Sequence, residues 1–247
     1  MEKQHNKTFC IGDIHANYRG LLQCLKRSKF DKEKDVLICL GDYCDGWSET
    51  PECINELLTI KNRIDIRGNH DNWCDDWLSK GWTPSLWTQQ GGQATIDAYI
   101  RTGELINDKH REFFNNLQDY YIDNQNRLFI HGGWDYYMGF PNGALFPVNA
   151  GSKAKECHWD RSLLAGARSA FGDKNNPKGK FNAIEQFKEV YIGHTAMNGL
   201  PHQFGNLWNM DTGSGFSGYL SIINIDTKEV YQSDNVLSLY PDEKGRR

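Results

Sequence analysis

Five short polar clusters stand out by residue type and position. They are Gly12-Asp13-Ile14-His15, Gly41-Asp42-Tyr43-Cys44-Asp45, Gly68-Asn69-His70-Asp71, His131-Gly132-Gly133 and Gly193-His194-Thr195. Each closes a short, β-prone apolar run. Asp, His and Asn are the ligand types of a site with nitrogen and oxygen donors, and no cysteine is placed to compete. In open α/β sheets, ligands collect at the carboxyl ends of strands. A glycine beside each ligand lets the backbone turn sharply and lets a bulky ion approach. Taken singly, a Gly-Asp pair is a turn and a histidine is a satisfied polar residue. Five such clusters in chain order, each at the end of its own run, are hard to produce by turns alone.

The elements that must position them can be read from periodicity. Thr8–Ile11, Val36–Leu40 and Ile64–Ile66 are short buried-strand runs. Between the first two, Tyr18, Leu21, Leu22 and Leu25 share a helical face, with Asn17 as N-cap. Between the second and third, Thr50-Pro51 opens a helix carrying Ile54, Leu57 and Leu58. This β-α-β-α-β order predicts parallel strands with right-handed crossovers. Further along, Tyr120–Ile122 and Arg127–Ile130 flank a turn and predict a hairpin. Val190–Ile192, Leu207–Met210, Tyr219–Ile225 and Val230–Gln232 add strands, and Gly92–Arg101, Asp108–Leu117 and Ser162–Ala170 add helices. The sum is an α/β fold, a single layered domain over residues 1–247 whose charged tail, 241–247, is expected to fray.

Composition limits the alternatives. The chain has 247 residues, 38% hydrophobic and 24% charged, with a net charge of −4. Disorder is excluded, and wholesale binding of nucleic acid or of an acidic membrane surface is not expected. No run approaches the ~20 apolar residues of a spanning helix, and the polar start, MEKQHNK, lacks the apolar core of a secretory signal. The seven cysteines form no CxxC pair and read as small buried thiols in a reducing cytoplasm. Trp73, Trp77, Trp82 and Trp87 fall in one short segment, as core or as the wall of a cleft.

In order, GDIH, GDxxD, GNHD, HGG and GHT resemble the signature of calcineurin-like metallophosphoesterases. The likeness is to the phosphoprotein-phosphatase branch in its short bacterial and phage form, and it spans Thr8 to Gln232. Trp87–Gly92, Trp159-Asp160-Arg161 and Asp211-Thr212-Gly213 are secondary matches. The resemblance implies a central β-sandwich flanked by helices. It implies that Asp13, His15 and Asp42 hold one metal ion, and that Asp42, Asn69, His131 and His194 hold a second, with Asp42 bridging. Two divalent ions ~3.5–4 Å apart share a hydroxide that attacks phosphorus in line. The mixed donor set suits Mn first, with Fe or Zn as alternatives, over Ca.

His70 matches the family's general acid, which protonates the leaving oxygen, and Asp45 matches the carboxylate that orients it. The blander alternative for His70 is a residue that only supports a metal ligand. For Asp71, a helix or turn cap stands beside direct chemistry. The chain departs from the pattern at Gly46-Trp47, where the family carries Arg-Gly. The missing arginine grips a phosphate oxygen, and Arg161 is the candidate for the remaining half of that clamp. Trp47 would sit where substrate passes, either stacking on an aromatic leaving group or filling the space the arginine left. Arg161–Lys180 carries five cations against Asp173 alone, either a device for attracting phosphorylated substrates or solvated surface.

Three functions compete. The first is a metal-dependent phosphomonoesterase acting on a phosphorylated substrate, above all phosphoprotein (Ser/Thr or Tyr). The second is a dinucleoside polyphosphate or nucleotide hydrolase on the same fold. The third is a binding module that has lost catalysis, which the absent arginine favours and the complete ligand set opposes.

Overall fold

The computed structural model describes residues 6–134, 157–172 and 186–246. The first sheet holds β1 (Thr8–Ile11), β2 (Val36–Cys39), β3 (Asn62–Asp65), β9 (Ser221–Asn224) and β10 (Val230–Gln232), in the order β10-β9-β1-β2-β3. The second holds β4 (Tyr120–Ile122), β5 (Arg127–Ile130), β6 (Glu189–Ile192), β7 (His202–Phe204) and β8 (Leu207–Asn209), in the order β4-β5-β6-β8-β7. Strands β1, β2 and β3 pair in parallel, as the β-α-β-α-β reading requires, and so do β5, β6 and β8. The expected hairpin is the antiparallel pair β4–β5.

Alternation along the strands explains why their sequences are apolar throughout. In β1, Phe9 and Ile11 face one core while Cys10 faces another. In β5, Leu128 and Ile130 point away from Phe129, and in β6 Val190 and Ile192 point away from Tyr191. Cys10, Ile38, Phe129, Tyr191, Trp208 and Ile223 meet between the two sheets. The outer face of the first sheet is covered by α1 (Tyr18–Arg27), α2 (Thr50–Leu58) and α3 (Asn69–Lys80). Short α4 (Ser85–Trp87), then α5 (Gln93–Thr102) and α6 (Asp108–Asn115), extend that layer, while α7 (Ser162–Gly172) covers the second sheet. Strands buried on both faces cannot alternate with polar residues, so their runs read as continuous.

Boundaries differ from the sequence reading where pairing overrides hydropathy. The third strand was expected at Ile64–Ile66, yet β3 begins at Asn62, because the register Val36↔Asn62 to Cys39↔Asp65 supplies its ladder. Ile66 lies beyond it, bridging to Gln118. Helix α3 and edge strand β7 were not anticipated. β7 reads His-Gln-Phe, too short and polar for a hydrophobic signal, and it is held by antiparallel pairing to β8.

The tail also differs from expectation. Glu243 accepts hydrogen bonds from Ser48 N (3.0 Å) and Ser48 Oγ (2.8 Å), and Arg246 N donates to Gly215 O at 2.8 Å. Its charge makes it look solvated, but these contacts pin it to the loop after β2 and to the loop between β8 and β9. All seven cysteines are buried. Among the described residues no helix is long and apolar enough to cross a membrane.

Candidate metal centre

The loops after β1, β2, β3, β5 and β6 bring Asp13, His15, Asp42, Asn69, His131 and His194 together, all buried. Two groups of ligand atoms form, each within 4.8 Å: Asp13, His15 and Asp42 in one, Asp42, His131 and His194 in the other. Asp42 belongs to both. His15 Nε2 lies 3.5 Å from Asp42 Oδ2, and His131 Nε2 lies 3.5 Å from Asp42 Oδ1. Asn69 Oδ1 joins the second group, 3.2 Å from His131 Nε2 and 2.9 Å from His194 Nδ1.

Each histidine is oriented by its outer nitrogen. His15 Nδ1 donates to Cys44 O (3.1 Å), His131 Nδ1 to Leu40 O (2.6 Å) and His194 Nε2 to Trp159 O (3.2 Å). A ring whose outer N–H is bound to a carbonyl turns its other nitrogen inward, and in the neutral ring that nitrogen is the lone pair that ligates a metal. Asp42 Oδ2 is buried without a hydrogen-bond partner. A buried, unpartnered carboxylate oxygen is costly, and the inward-facing ring nitrogens around it fit a pair of divalent ions.

The backbone is strained where these residues sit. His15, Asp42, Asp45 and His194 all have φ between 50° and 69°, in the left-handed region. Such conformations cost on the order of 1–3 kcal/mol each and persist where the surroundings fix them. Asp71 is one such restraint, accepting hydrogen bonds from Asp42 N (2.8 Å), Gly68 N (2.8 Å) and Tyr43 N (2.9 Å). Burial and neighbouring Asp42 raise its carboxyl to about 6. Asp71 therefore ties loops together, the cap reading of the two open for it. A side chain at Gly68 or Gly193 would collide with the carboxylates of Asp42 or Asp13, which is why these ligands are followed across the cleft by glycine.

Charge in the centre is sharply divided. Burial would raise Asp42, but His131 and His70 beside it hold its carboxyl well below the usual range. Burial and Asp211 hold Asp13 well above it. Burial would lower His131, but Asp42 and Asp13 push it up to about 10, while burial, His131 and Arg161 push His194 down to about 2. One protonated imidazole offsets the ionised carboxylate, a role that a divalent cation would take over.

Beside the two groups lies His70, fully buried, with Nδ1 2.6 Å from Asp45 Oδ2 and with Nε2 unpartnered. Its backbone N–H donates to Asp42 Oδ1 at 3.0 Å, so the dyad and the shared ligand are set by the same turn of α3. Asp45 is held by Thr95 Oγ1 (2.8 Å) and Trp87 Nε1 (2.7 Å). Neither supporter was singled out for this role in sequence, because each lies in the helical layer far along the chain. Trp73 packs edge-on against His70 at 5.2 Å and against Trp159 at 5.0 Å.

Arg161 lies on the exposed flank, its Nη1 donating to His194 O (3.1 Å) and Thr195 Oγ1 (3.0 Å). Arg168 is described, whereas Lys174, Lys178 and Lys180 of the basic segment lie outside the described residues.

Trp47 is not where the sequence put it. Its ring is fully buried, stacked on Tyr240 at 4.8 Å with Nε1 donating to Ser214 O at 2.7 Å. No face is left for a leaving group, so the second of its two readings, filling space, describes it. Trp159 is an aromatic side chain that does reach solvent near the centre, 41% exposed and 6.3 Å from His194. Trp47→Ala is expected to cost about 3–5 kcal/mol of stability, as for a buried large-to-small change, measured by urea unfolding. The ratio of phosphotyrosine to phosphoserine turnover should not move; a selective loss of phosphotyrosine activity would contradict this placement.

The chain is similar to known proteins. The chain is 22% identical over 226 residues to serine/threonine-protein phosphatase 1 of Salmonella typhimurium, covering 90% of this chain and 94% of that protein. It is 35% identical to a symmetrical bis(5'-nucleosyl)-tetraphosphatase of Buchnera aphidicola, but over 65 residues, 26% of this chain and 24% of that one. A crystal structure provisionally described as a diadenosine tetraphosphatase superposes with a TM-score of 0.62 at 15% identity, covering 94% of this chain and 95% of the other. The family model for calcineurin-like phosphoesterases matches residues 7–207, across β1 to β7 and all six candidate ligands. A sandwich whose strand ends converge on two Asp/His groups with a shared carboxylate is what that match leads one to find, and the chain belongs to the calcineurin-like phosphoesterases, metal-dependent hydrolases of phosphoesters.

Proposed function

We propose that the protein is a dinuclear phosphomonoesterase acting on phosphoprotein. The observation that carries the catalytic part is the unpartnered Nε2 of His70, backed by Asp45 and set beside two ligand groups that share Asp42. Asp13, His15 and Asp42 would hold one ion, and Asp42, Asn69, His131 and His194 the other, with Mn as the expected metal. Ions held there supply an activated water and neutralise the charge on the phosphoryl oxygens. Asp45 accepts the Nδ1–H of His70 and so fixes the ring with Nε2 facing the centre, from where an Nε2–H can be given to the leaving alkoxide. Arg161, tied by one nitrogen to the His194 loop, offers its other N–H donors to a phosphate oxygen.

The phosphoprotein assignment is supported by likeness to a serine/threonine phosphatase along nearly all of both chains. A second reading, hydrolysis of a dinucleoside polyphosphate, is supported by the local 35% identity to a tetraphosphatase and by the superposition. Turnover of phosphoserine and phosphotyrosine peptides against diadenosine tetraphosphate, on Mn-loaded protein, separates the two. Phosphate release from peptides with negligible cleavage of the dinucleotide is the expected result, and the reverse preference would replace the first reading with the second. Arg161→Ala should lower kcat/KM by roughly 10- to 150-fold, the worth of one charge-assisted hydrogen bond. An unchanged value would remove Arg161 from the site.

A further inference from the structure

Arg246 lies 231 residues from His15 in sequence, and its Nη1 lies 2.8 Å from His15 Nε2. Its side chain reaches the centre through a gap floored by glycine. A Cβ at Gly46 or at Gly91 would stand 3.2 or 3.1 Å from Arg246 Cγ, and both glycines have φ above 100°. Its guanidinium carbon lies 4.8 Å over the Phe216 ring. The segment before it is docked: Gly245 lies against the Trp47 ring, Trp47 stacks on Tyr240, and Glu243 binds Ser48. Gly46-Trp47 and the tail are thus one packing unit. The first residue makes room for the arginine stem, and the second is the platform on which the tail rests.

The guanidinium is poorly matched to its surroundings as they stand. Among the described residues no ion pair ties it, and its buried Nε has no partner. Its side-chain bond goes to the inward lone pair of His15, the same lone pair that a divalent ion would take. An ion and a guanidinium cannot share one lone pair, so loading the centre displaces Arg246 from His15 while leaving it tethered by its backbone bond to Gly215 O. Two divalent ions beside an arginine repel it unless an anion lies between them. A planar fork of N–H donors next to two cations matches the oxygens of a phosphoryl group.

We propose that Arg246 grips the phosphate of the substrate from the His15 side, as Arg161 does from the His194 side, its side chain occupying the space that Gly46 leaves open. This rests on the phosphoesterase reading of the centre and adds a specific residue to it. In the loaded protein Arg246 is a substrate-binding group, and Glu243 and Trp47 position it.

The test uses the full chain loaded with Mn, inorganic phosphate as probe, and isothermal titration calorimetry alongside elemental analysis. Arg246→Ala is expected to weaken phosphate binding about 10- to 150-fold with metal content unchanged. Arg246→Lys should recover part of it, because the charge is kept and the fork is lost. Glu243→Gln, which touches no reacting group, should weaken phosphate binding in the same direction by loosening the tail. Unchanged phosphate affinity in Arg246→Ala, with tighter metal binding, would overturn the proposal and leave Arg246 as a cap on His15 in the metal-free protein. Wild-type protein that takes up no metal would instead overturn the phosphoesterase reading beneath it, so the two failures are distinguishable.

Discussion

Replacing His70 by asparagine is expected to lower kcat by roughly 10²–10⁴ on a phosphoserine peptide, the range for a lost general acid, with metal content at the wild-type value. The geometry makes the substitution selective. The backbone N–H of residue 70 that binds Asp42 Oδ1 is untouched, and an asparagine amide can still reach toward Asp45. What is lost is the Nε2 proton at the mouth of the two ligand groups. An alkoxide leaves poorly without that proton, whereas p-nitrophenolate leaves well without it. The loss should therefore be much smaller on p-nitrophenyl phosphate, and the contrast between the substrates is the readout. If both fall equally, His70 acts by packing against Trp73 and His15, which it meets edge-on at 5.2 Å each, and not by moving a proton. Thr95→Val should produce a milder version of the same contrast, since it removes one of the hydrogen bonds that aim Asp45.

The part of this site legible in sequence is the part that is local. Asp13, His15, Asp42, His131 and His194 each lie a few residues beyond a strand that is buried on both faces, and Asn69 follows the half-buried β3. Burial makes the strand an unbroken apolar run, and the strained turn after it calls for glycine, so both the position and the ligand type are written side by side. The contacts that complete the site are written elsewhere. Asp45 is aimed by Trp87 and Thr95, 42 and 50 residues away, and His15 is met by Arg246 across 231 residues. No periodicity links such pairs; they meet only because the sheets and the helical layer fold over one another. Trp47 misled for the same reason. Its place in the motif put it at the cleft, but its stacking on Tyr240 depends on a tail whose charge suggested solvent. Helix α3 lies outside the sequence reading because Asn69 stands there as a ligand, His70 as the acid and Asp71 as a cap or direct chemistry, though the same residues form its first turn, with Asp71 capping Gly68 N.

Asp42→Asn is expected to take both metal ions from the protein, reducing Mn content from two equivalents toward none, and phosphatase activity with it. Asp42 stands between the two ligand groups, Oδ2 3.5 Å from His15 Nε2 and Oδ1 3.5 Å from His131 Nε2. It is also the carboxylate that His131 and His70 keep ionised despite burial, so it supplies the fixed negative charge that both cations share. An asparagine there can still accept the His70 N–H through its carbonyl oxygen, which preserves the turn. Its amide nitrogen, however, brings N–H donors where the ions need a lone pair, and the charge is gone. The control is Asn69→Ala, which removes a donor from the second group alone and should leave about one equivalent bound. Both variants should retain the wild-type circular dichroism spectrum, because the strands and helices around the centre are packed through cores to which neither side chain belongs. Two equivalents in Asp42→Asn, or equal losses in the two variants, would mean that the ions do not share this carboxylate, and the dinuclear reading of the centre would fall with it.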